Sequence, residues 1–329
     1  MFKNKVVLIT GGTGSWGRTL TQTLLKEDPQ EIRIFSRNEF SQVMMQREFG
    51  NDSRLRFIIG DVRDYTAVEA GCKGVDYVFH LAALKHVPVC ELQPEEALKT
   101  NVLGTENIIR ASIAQKVTKV IDVSTDKAVN PINVYGMTKA IGEKLMIRAN
   151  DLSEHTRFTC IRGGNVLGTN GSVVPLFLQQ LREGRDLTVT DIEMTRFFLT
   201  LQEAIFLLLK AATTAIGGET FVMKMKACRI IDIAEVLAEH YLPCVPQLKE
   251  IGMRAGEKKH EVLISSYESP YTLKYNEQYF VILPSTDQDQ LYRHYSNFKK
   301  ASFVEYHSND SLVNKSGIKS LLQEGGFLI

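Results

Sequence analysis

The sequence predicts an α/β protein: a doubly wound parallel sheet followed by a smaller, C-terminal α/β lobe. Three observations carry this expectation. The chain opens on an apolar run, KVVLIT at 5–10, which feeds directly into glycines at 11, 14 and 17 and then a helical pattern. Apolar runs of strand length alternate with helical stretches up to about residue 160, with no long polar linker between them. One of those runs, IDVS at 121–124, ends in a polar loop carrying reactive side chains, and open α/β sheets place their chemistry at such strand ends.

In chain order, residues 5–10 read as a strand buried on both faces. Gly11, Gly14 and Gly17 then permit a tight turn, so that backbone approaches a pyrophosphate resting on the N-terminus of a helix at about 16–26. Placed between the first strand and the first helix, the glycines predict a dinucleotide site. The second strand, EIRIFS, ends at Ser36 and is followed by Arg37. NAD sites put a carboxylate near this point; a hydroxyl and a guanidinium suit a 2′-phosphate instead, which predicts NADP, although Glu39 stands close by. The third strand, LRFIIG, leads to Asp61 and Val62 at the adenine edge. After the fourth, VDYVFH, the small Ala82 and Ala83 let the chain pass close to a flat cofactor, with Lys85 and His86 projecting over it. A helix from 101 to about 115 leads into strand five.

The stretch 123–140 reads as the catalytic centre. Its loop holds Thr125, Asp126 and Lys127, and a helix beginning near Tyr135 puts Tyr135 and Lys139 on one face. An ammonium beside a phenol is expected to lower its pKa towards neutrality and make it a base. Past residue 150 come a sixth strand, RFTCIR, a Gly-rich loop and a helix near Val174. Amphipathic helices at 201–213 and 231–240, short strands near Leu187 and Phe221, and a short helix at 318–322 follow. The expected division is 1–165 for cofactor and catalysis and 166–329 for the substrate lobe, with some chain crossing between them. Arg196, Arg254, Lys258 and Lys259 are candidate contacts for a phosphorylated substrate. Composition does not reveal the role of the last fifty residues.

Bulk properties narrow the function. The 329 residues, 44% hydrophobic, suffice for a large core and one or two domains. A net charge of +1 gives no footprint for nucleic acid or an anionic membrane, so an anionic ligand must be met by local cations. Cys72, Cys90, Cys160, Cys228 and Cys244 are odd in number and scattered, as reduced thiols of a cytoplasmic protein would be. The seven histidines show no ligand spacing, and no metal is expected. No signal-like segment precedes the first strand, and the longest apolar run, near 204–212, is broken by Lys210 and too short to span a bilayer. The expectation is a soluble protein.

The motifs TGGTGSWG, FSRNE, GDVRD, HLAALKHVP, KTNVLGTEN, STDKAVNPINVYGMTK, GSVVPLF, MTRF and RAGEKKHE occur in this order. Together they resemble the Rossmann-like extended short-chain dehydrogenase/reductases, and among them the C5-inverting UDP-N-acetylglucosamine 4,6-dehydratases that open the route to pseudaminic acid. The resemblance spans essentially the whole chain. Related dTDP-glucose dehydratases carry Asp-Glu in place of Asp126-Lys127, plain 4-epimerases lack the acid/base pair, and larger membrane-bound relatives have Met in place of Tyr135.

The resemblance implies that Gly11, Thr13, Gly14, Ser15, Trp16 and Gly17 hold the pyrophosphate of a tightly bound NADP. Ser36 and Arg37 take its 2′-phosphate, Asp61 and Val62 its adenine, and Leu81, Ala82, Ala83 and Lys85 the nicotinamide ribose side. Asn165, Val173, Arg196, Arg254 and Glu257 hold the UDP moiety, with Lys85 and His86 near the sugar. Tyr135, assisted by Lys139 and Thr125, takes the 4-hydroxyl proton as hydride passes to NADP. Lys127, when neutral, removes the C5 proton, Asp126, when protonated, protonates the leaving 6-hydroxyl, and hydride returns to C6. The implied product is a C5-inverted 4-keto-6-deoxy sugar, and the implied assembly a homo-oligomer, with a hexamer favoured over a dimer. Two positions depart from the family's loop: Gly163 stands for Tyr, and Thr169-Asn170 for Ser-Arg. Read as lying near the sugar pocket, they keep a retained keto sugar and a released 5,6-ene sugar open as products. A UDP-sugar 4-epimerase or reductase, needing Tyr135 and Lys139 but not Lys127, is the rival enzyme, and an NADP-sensing binding protein the non-catalytic rival.

Overall fold

Alternating positions of the first strand feed two cores at once. In β1 (Val6–Thr10), Val7 and Ile9 pack with Leu20, Leu24 and Leu208, while Val6 and Leu8 pack with Val68, Ile108 and Met146. A strand covered on both faces must be apolar throughout, and this one is. The computed structural model describes residues 1–168, 172–242, 247–285, 289–310 and 312–328.

β2 (Glu31–Ser36), β3 (Leu55–Ile59), β4 (Tyr77–His80), β5 (Lys119–Thr125) and β6 (Arg157–Gly163) join β1 in a parallel sheet ordered β3-β2-β1-β4-β5-β6. Beyond β6 the sheet continues with Thr220–Met223, parallel to it, and then with Tyr279–Ile282 and Thr272–Lys274, both antiparallel to their neighbours. The last two strands are absent from the sequence reading because YTLKYNEQYFVIL mixes aromatic and polar residues without clean alternation. Strand order reverses between β1 and β4, so the connections leaving their carboxyl ends diverge and open a crevice.

Two glycines fix the first turn. Gly11 has φ +65°, and a Cβ there would lie 2.9 Å from Ala82 N. A Cβ on Gly17 would lie 2.2 Å from Gly12 O, so helix Ser15–Leu25 seats on its turn only with glycine at that position. The helix expected from residue 101 is preceded by Pro94–Ala97 and a π-helical turn, Leu98–Leu103, before Gly104–Ala114. Within the π turn, Asn101 accepts from Leu84 N at 2.8 Å and donates to Leu84 O at 2.9 Å and Thr138 Oγ1 at 3.0 Å. One amide thus ties the loop after β4 to the helix that carries Tyr135 and Lys139.

The later residues build a second core. Val174, Phe177 and Leu181 of helix Val173–Arg182 meet Phe198, Ile233 and Leu237, and Ile318, Leu321 and Leu322 of helix Lys315–Glu324 complete the cluster. Just upstream, Tyr306–His307 pairs antiparallel with Val262–Ile264. The C-terminal residues therefore close the second core and brace the segment that follows the RAGEKKHE motif.

Candidate active site

A cleft of about 1090 Å³ lies at the carboxyl ends of the parallel strands. Gly11, Thr13, Gly14, Ser15 and Trp16 form one end of it, where helix Ser15–Leu25 begins with no side-chain cap on its N–H groups. Uncapped N–H groups and the helix dipole suit an anion. Gly17 sits behind this turn. Ser36, Arg37, Asp61 and Val62 line the next wall, and Leu81, Ala82, Ala83, Lys85 and His86 the one after. Arg63 holds Asp61 in contacts of 2.6 and 2.8 Å; burial works against the Asp61 carboxylate, but Arg63 more than compensates and keeps it below the usual range. Arg37 stays 4.0 Å from Asp61 and half exposed, so its guanidinium remains available to the cleft. Ser36 accepts from Gln42 Nε2 at 3.0 Å.

The chemistry-bearing end is organised by the turn after β5. Asp126–Ala128 forms a 3₁₀ turn in which Thr125 Oγ1 donates to Asp126 Oδ1 at 2.9 Å. Helix Val134–Ala149 starts just beyond, capped by Asn133, whose Oδ1 accepts from Gly136 N at 2.7 Å. Asn133 Nδ2 also donates to Gly256 O at 2.8 Å and so docks the RAGE loop onto this helix. Gly136 is required because a Cβ would meet Lys127 O at 2.1 Å.

Thr125, Lys127, Tyr135 and Lys139 all line the cleft, and Asp126, fully buried, lies behind Lys127. Lys127 Nζ is 3.0 Å from Asp126 Oδ1, 3.5 Å from Glu261 Oε1 and 3.3 Å from Asn165 Oδ1. Burial disfavours its charge, but the Asp126 and Glu261 carboxylates outweigh burial and raise its pKa, so Lys127 is an ammonium here. The neutral amine the sequence reading asked for must be generated. Tyr135 also differs from expectation. Burial pushes its phenol up, and although Lys139, Lys127 and a hydrogen bond with Thr125 pull it down, they do not overcome burial. Lys139 is shared with a residue the sequence reading passed over: its Nζ lies 3.1–3.2 Å from both oxygens of Asp122, which is fully buried in β5.

On the far side Asn165, Val173, Arg196, Arg254 and Glu257 line the cleft. Arg254 is largely exposed, with Glu257 3.9 Å away. Arg196 donates to the carbonyls of Thr195, Lys258 and Lys259, so much of its hydrogen bonding goes into shaping the loop. Lys258 and Lys259 are not among the cleft-lining residues: Lys258 donates to Val129 O, and Lys259 pairs with Glu193 and Asp191. Gly163 does not line the cleft either. Its missing Cβ would meet Met223 Sδ at 3.3 Å, so a methionine from the neighbouring strand stands where a larger side chain would project. Thr169 and Asn170 lie outside the described residues.

Asp122 and Glu261 are the site residues the sequence reading missed. Asp122 had a signal, a lone carboxylate inside an apolar strand; Glu261 sits in a charged run, GEKKHE, indistinguishable from a solvated face.

A glycine-turn cradle continuous with a Tyr–Lys pair on the helix that follows β5 defines a short-chain dehydrogenase/reductase of the extended type. The family described as polysaccharide biosynthesis protein matches residues 7–283, and the chain belongs to it. The chain is 45% identical to the UDP-N-acetylglucosamine 4,6-dehydratase (inverting) of Campylobacter jejuni, over 99% of this chain and 92% of that one. It is 42% identical to a protein of Rickettsia rickettsii named UDP-glucose 4-epimerase, over 98% and 96%. The X-ray structure of Pen from Bacillus thuringiensis superposes with a TM-score of 0.91 at 40% identity, covering 100% of this chain and 99% of that one. The protein is an enzyme of this family. Among the described residues no helix is long and apolar enough to cross a membrane.

Proposed function

We propose that the protein is a cytoplasmic UDP-N-acetylglucosamine 4,6-dehydratase that inverts C5. The observation that carries this reading is the contact of Asp126 with Lys127 at the cleft end shared with Tyr135. An epimerase needs a group that moves the 4-hydroxyl proton, which Tyr135 supplies. An acid and a base touching one another beside it suit elimination across C5–C6.

The cradle fits a nicotinamide dinucleotide. Glycines leave room for backbone approach, the helix N-terminus is uncapped, and the cleft-lining Ser124 and Thr100 bury hydroxyls with no partner. When bound, such a cofactor supplies the hydride acceptor at C4 and the donor at C6. Gly11 to Trp16 would hold its pyrophosphate, and Ser36 and Arg37 the 2′-phosphate of NADP. Tyr135 must first lose its own proton, which Lys139 and Lys127 favour and burial opposes; its phenolate then accepts the 4-hydroxyl proton, and the resulting ketone acidifies C5–H. Transfer of one proton from Lys127 to Asp126, across 3.0 Å, creates the amine and the carboxylic acid together. The amine then takes the C5 proton, and the acid protonates the departing 6-hydroxyl, which leaves as water. The exposed Arg254 suits the diphosphate of UDP.

The test is incubation with UDP-N-acetylglucosamine in D2O followed by proton NMR. Expected are a C6 methyl signal, one deuterium at C5 and ring couplings of the inverted sugar. Vinylic C6 protons would assign the 5,6-ene chemistry, and an inverted C4 without a methyl would assign a 4-epimerase, the activity for which the Rickettsia relative is named. Denatured protein is further expected to release NADP, identified by mass. Predominant NAD would mean that Arg37 serves no 2′-phosphate.

A further inference from the structure

Glu261 is 1% exposed, yet it lines the cleft and forms no ordinary buried ion pair. Its Oε1 lies 3.5 Å from Lys127 Nζ and 3.7 Å from Arg196 Nε, between two cations, while its Oε2 is buried without a hydrogen-bond partner. The terminal nitrogens of Arg196 donate to the carbonyls of Thr195, Lys258 and Lys259, so only its Nε is turned to Glu261. Burying a carboxylate on those terms is costly unless the charge does something for its neighbours.

The backbone of Glu261 is held with more care than its side chain. Glu261 N donates to Ser308 Oγ at 2.9 Å, and Ser308 N donates to Glu261 O at 2.8 Å. The Ser308 hydroxyl also lies 2.6 Å from Thr195 Oγ1, which in turn contacts His260 Nδ1 at 2.8 Å. A serine in the C-terminal segment thus locks the strand that carries Arg196 to the residue that faces Lys127.

We propose that Glu261 is a positioning residue of the catalytic centre: braced by Ser308, its carboxylate holds the Lys127 ammonium at the cleft wall. This rests on the dehydratase reading for its purpose, and on geometry alone for its existence. Two carboxylates, Asp126 and Glu261, then balance two cations, Lys127 and Arg196, in a neutral group. Lys127 also faces Tyr135 from the catalytic helix, Lys85 from the loop after β4 and Lys258 from the RAGE loop. In the elimination Asp126, the nearer carboxylate at 3.0 Å, exchanges the proton with Lys127, and Glu261 fixes where the amine points once that proton has gone.

The test reads the Lys127 amine directly and needs no sugar substrate. Wild-type and Glu261→Gln proteins are pulsed with acetic anhydride across a pH series, and acetylation of Lys127 is quantified by peptide mass spectrometry. Glu261→Gln keeps the shape and removes the charge, so the midpoint for Lys127 acetylation is expected to fall by about one pH unit or more, the size expected for an opposite charge within a few ångströms. Should Glu261→Gln fail to fold, Ser308→Ala carries the test, with a smaller shift in the same direction expected from a loosened but intact carboxylate. An unchanged midpoint in whichever variant folds overturns the proposal. A shifted midpoint in a protein that turns over no UDP-sugar would leave the Glu261 assignment standing and remove the dehydratase reading.

Discussion

Lys127→Ala is expected to lower turnover of UDP-N-acetylglucosamine by about 10²–10⁴-fold, the range for loss of a placed proton-transfer group. The first oxidation should survive, because Tyr135 and Lys139 remain, so reduced nicotinamide absorbance should build up on mixing with substrate. Tyr135→Phe should show neither build-up nor product. The structure adds a stability cost that a loop position alone would not suggest. Lys127 pairs with Asp126 and Glu261, both buried, and its loss leaves both carboxylates without that cation. Activity is therefore to be compared below the melting point of the variant. Near wild-type turnover by Lys127→Ala would remove Lys127 from the mechanism.

Lys139→Met is expected to destabilise the fold by about 3–5 kcal/mol, the usual cost of breaking a buried ion pair from one side. Asp122 is fully buried and has Lys139 as its partner, so the substitution strands a charge within the sheet. The double change Asp122→Asn, Lys139→Met should recover most of that loss. Burial opposes the Lys139 charge, but Asp122 and Tyr135 overcome it and raise the pKa above its ordinary value. The contribution of the Lys139 charge is accordingly complete below about pH 10.4, the unfolded value, and lost as pH rises through the folded one. Denaturant unfolding of the three proteins measures this directly, and a single-variant loss under about 1 kcal/mol would mean the pair is open to water. Inactivity of a Lys139 variant is thus not purely a catalytic result.

The parts of the molecule legible in the sequence were those written in local chemistry. Period, glycine placement and the Tyr135–Lys139 spacing gave the first six strands, the glycine turn and the face that Tyr135 and Lys139 share at the cleft, since each is decided within a few residues of chain. What escaped was decided at long range. Asp122 reads as an oddity until helix Val134–Ala149 lays Lys139 against it. Glu261 reads as one more surface charge until Ser308 turns it inward. The strands at 272–282 gain their place from Thr220–Met223, which lies far upstream. The expected low-pKa Tyr135 failed for a related reason: spacing predicts the neighbouring cation, but only the packed fold sets how much burial opposes it.

The order of the nine-stranded sheet also bears on how the chain is made. β6 is finished at Gly163, but its outer neighbour begins only at Thr220. At ribosomal elongation rates the missing stretch takes roughly 3–12 s to emerge. Throughout that interval the nascent sheet ends in a bare row of N–H and C=O groups on a strand, RFTCIRG, that is otherwise apolar enough to recruit another chain. The completed enzyme hides that edge in the middle of its sheet, so the hazard belongs to synthesis and refolding and vanishes once Thr220–Met223 has docked.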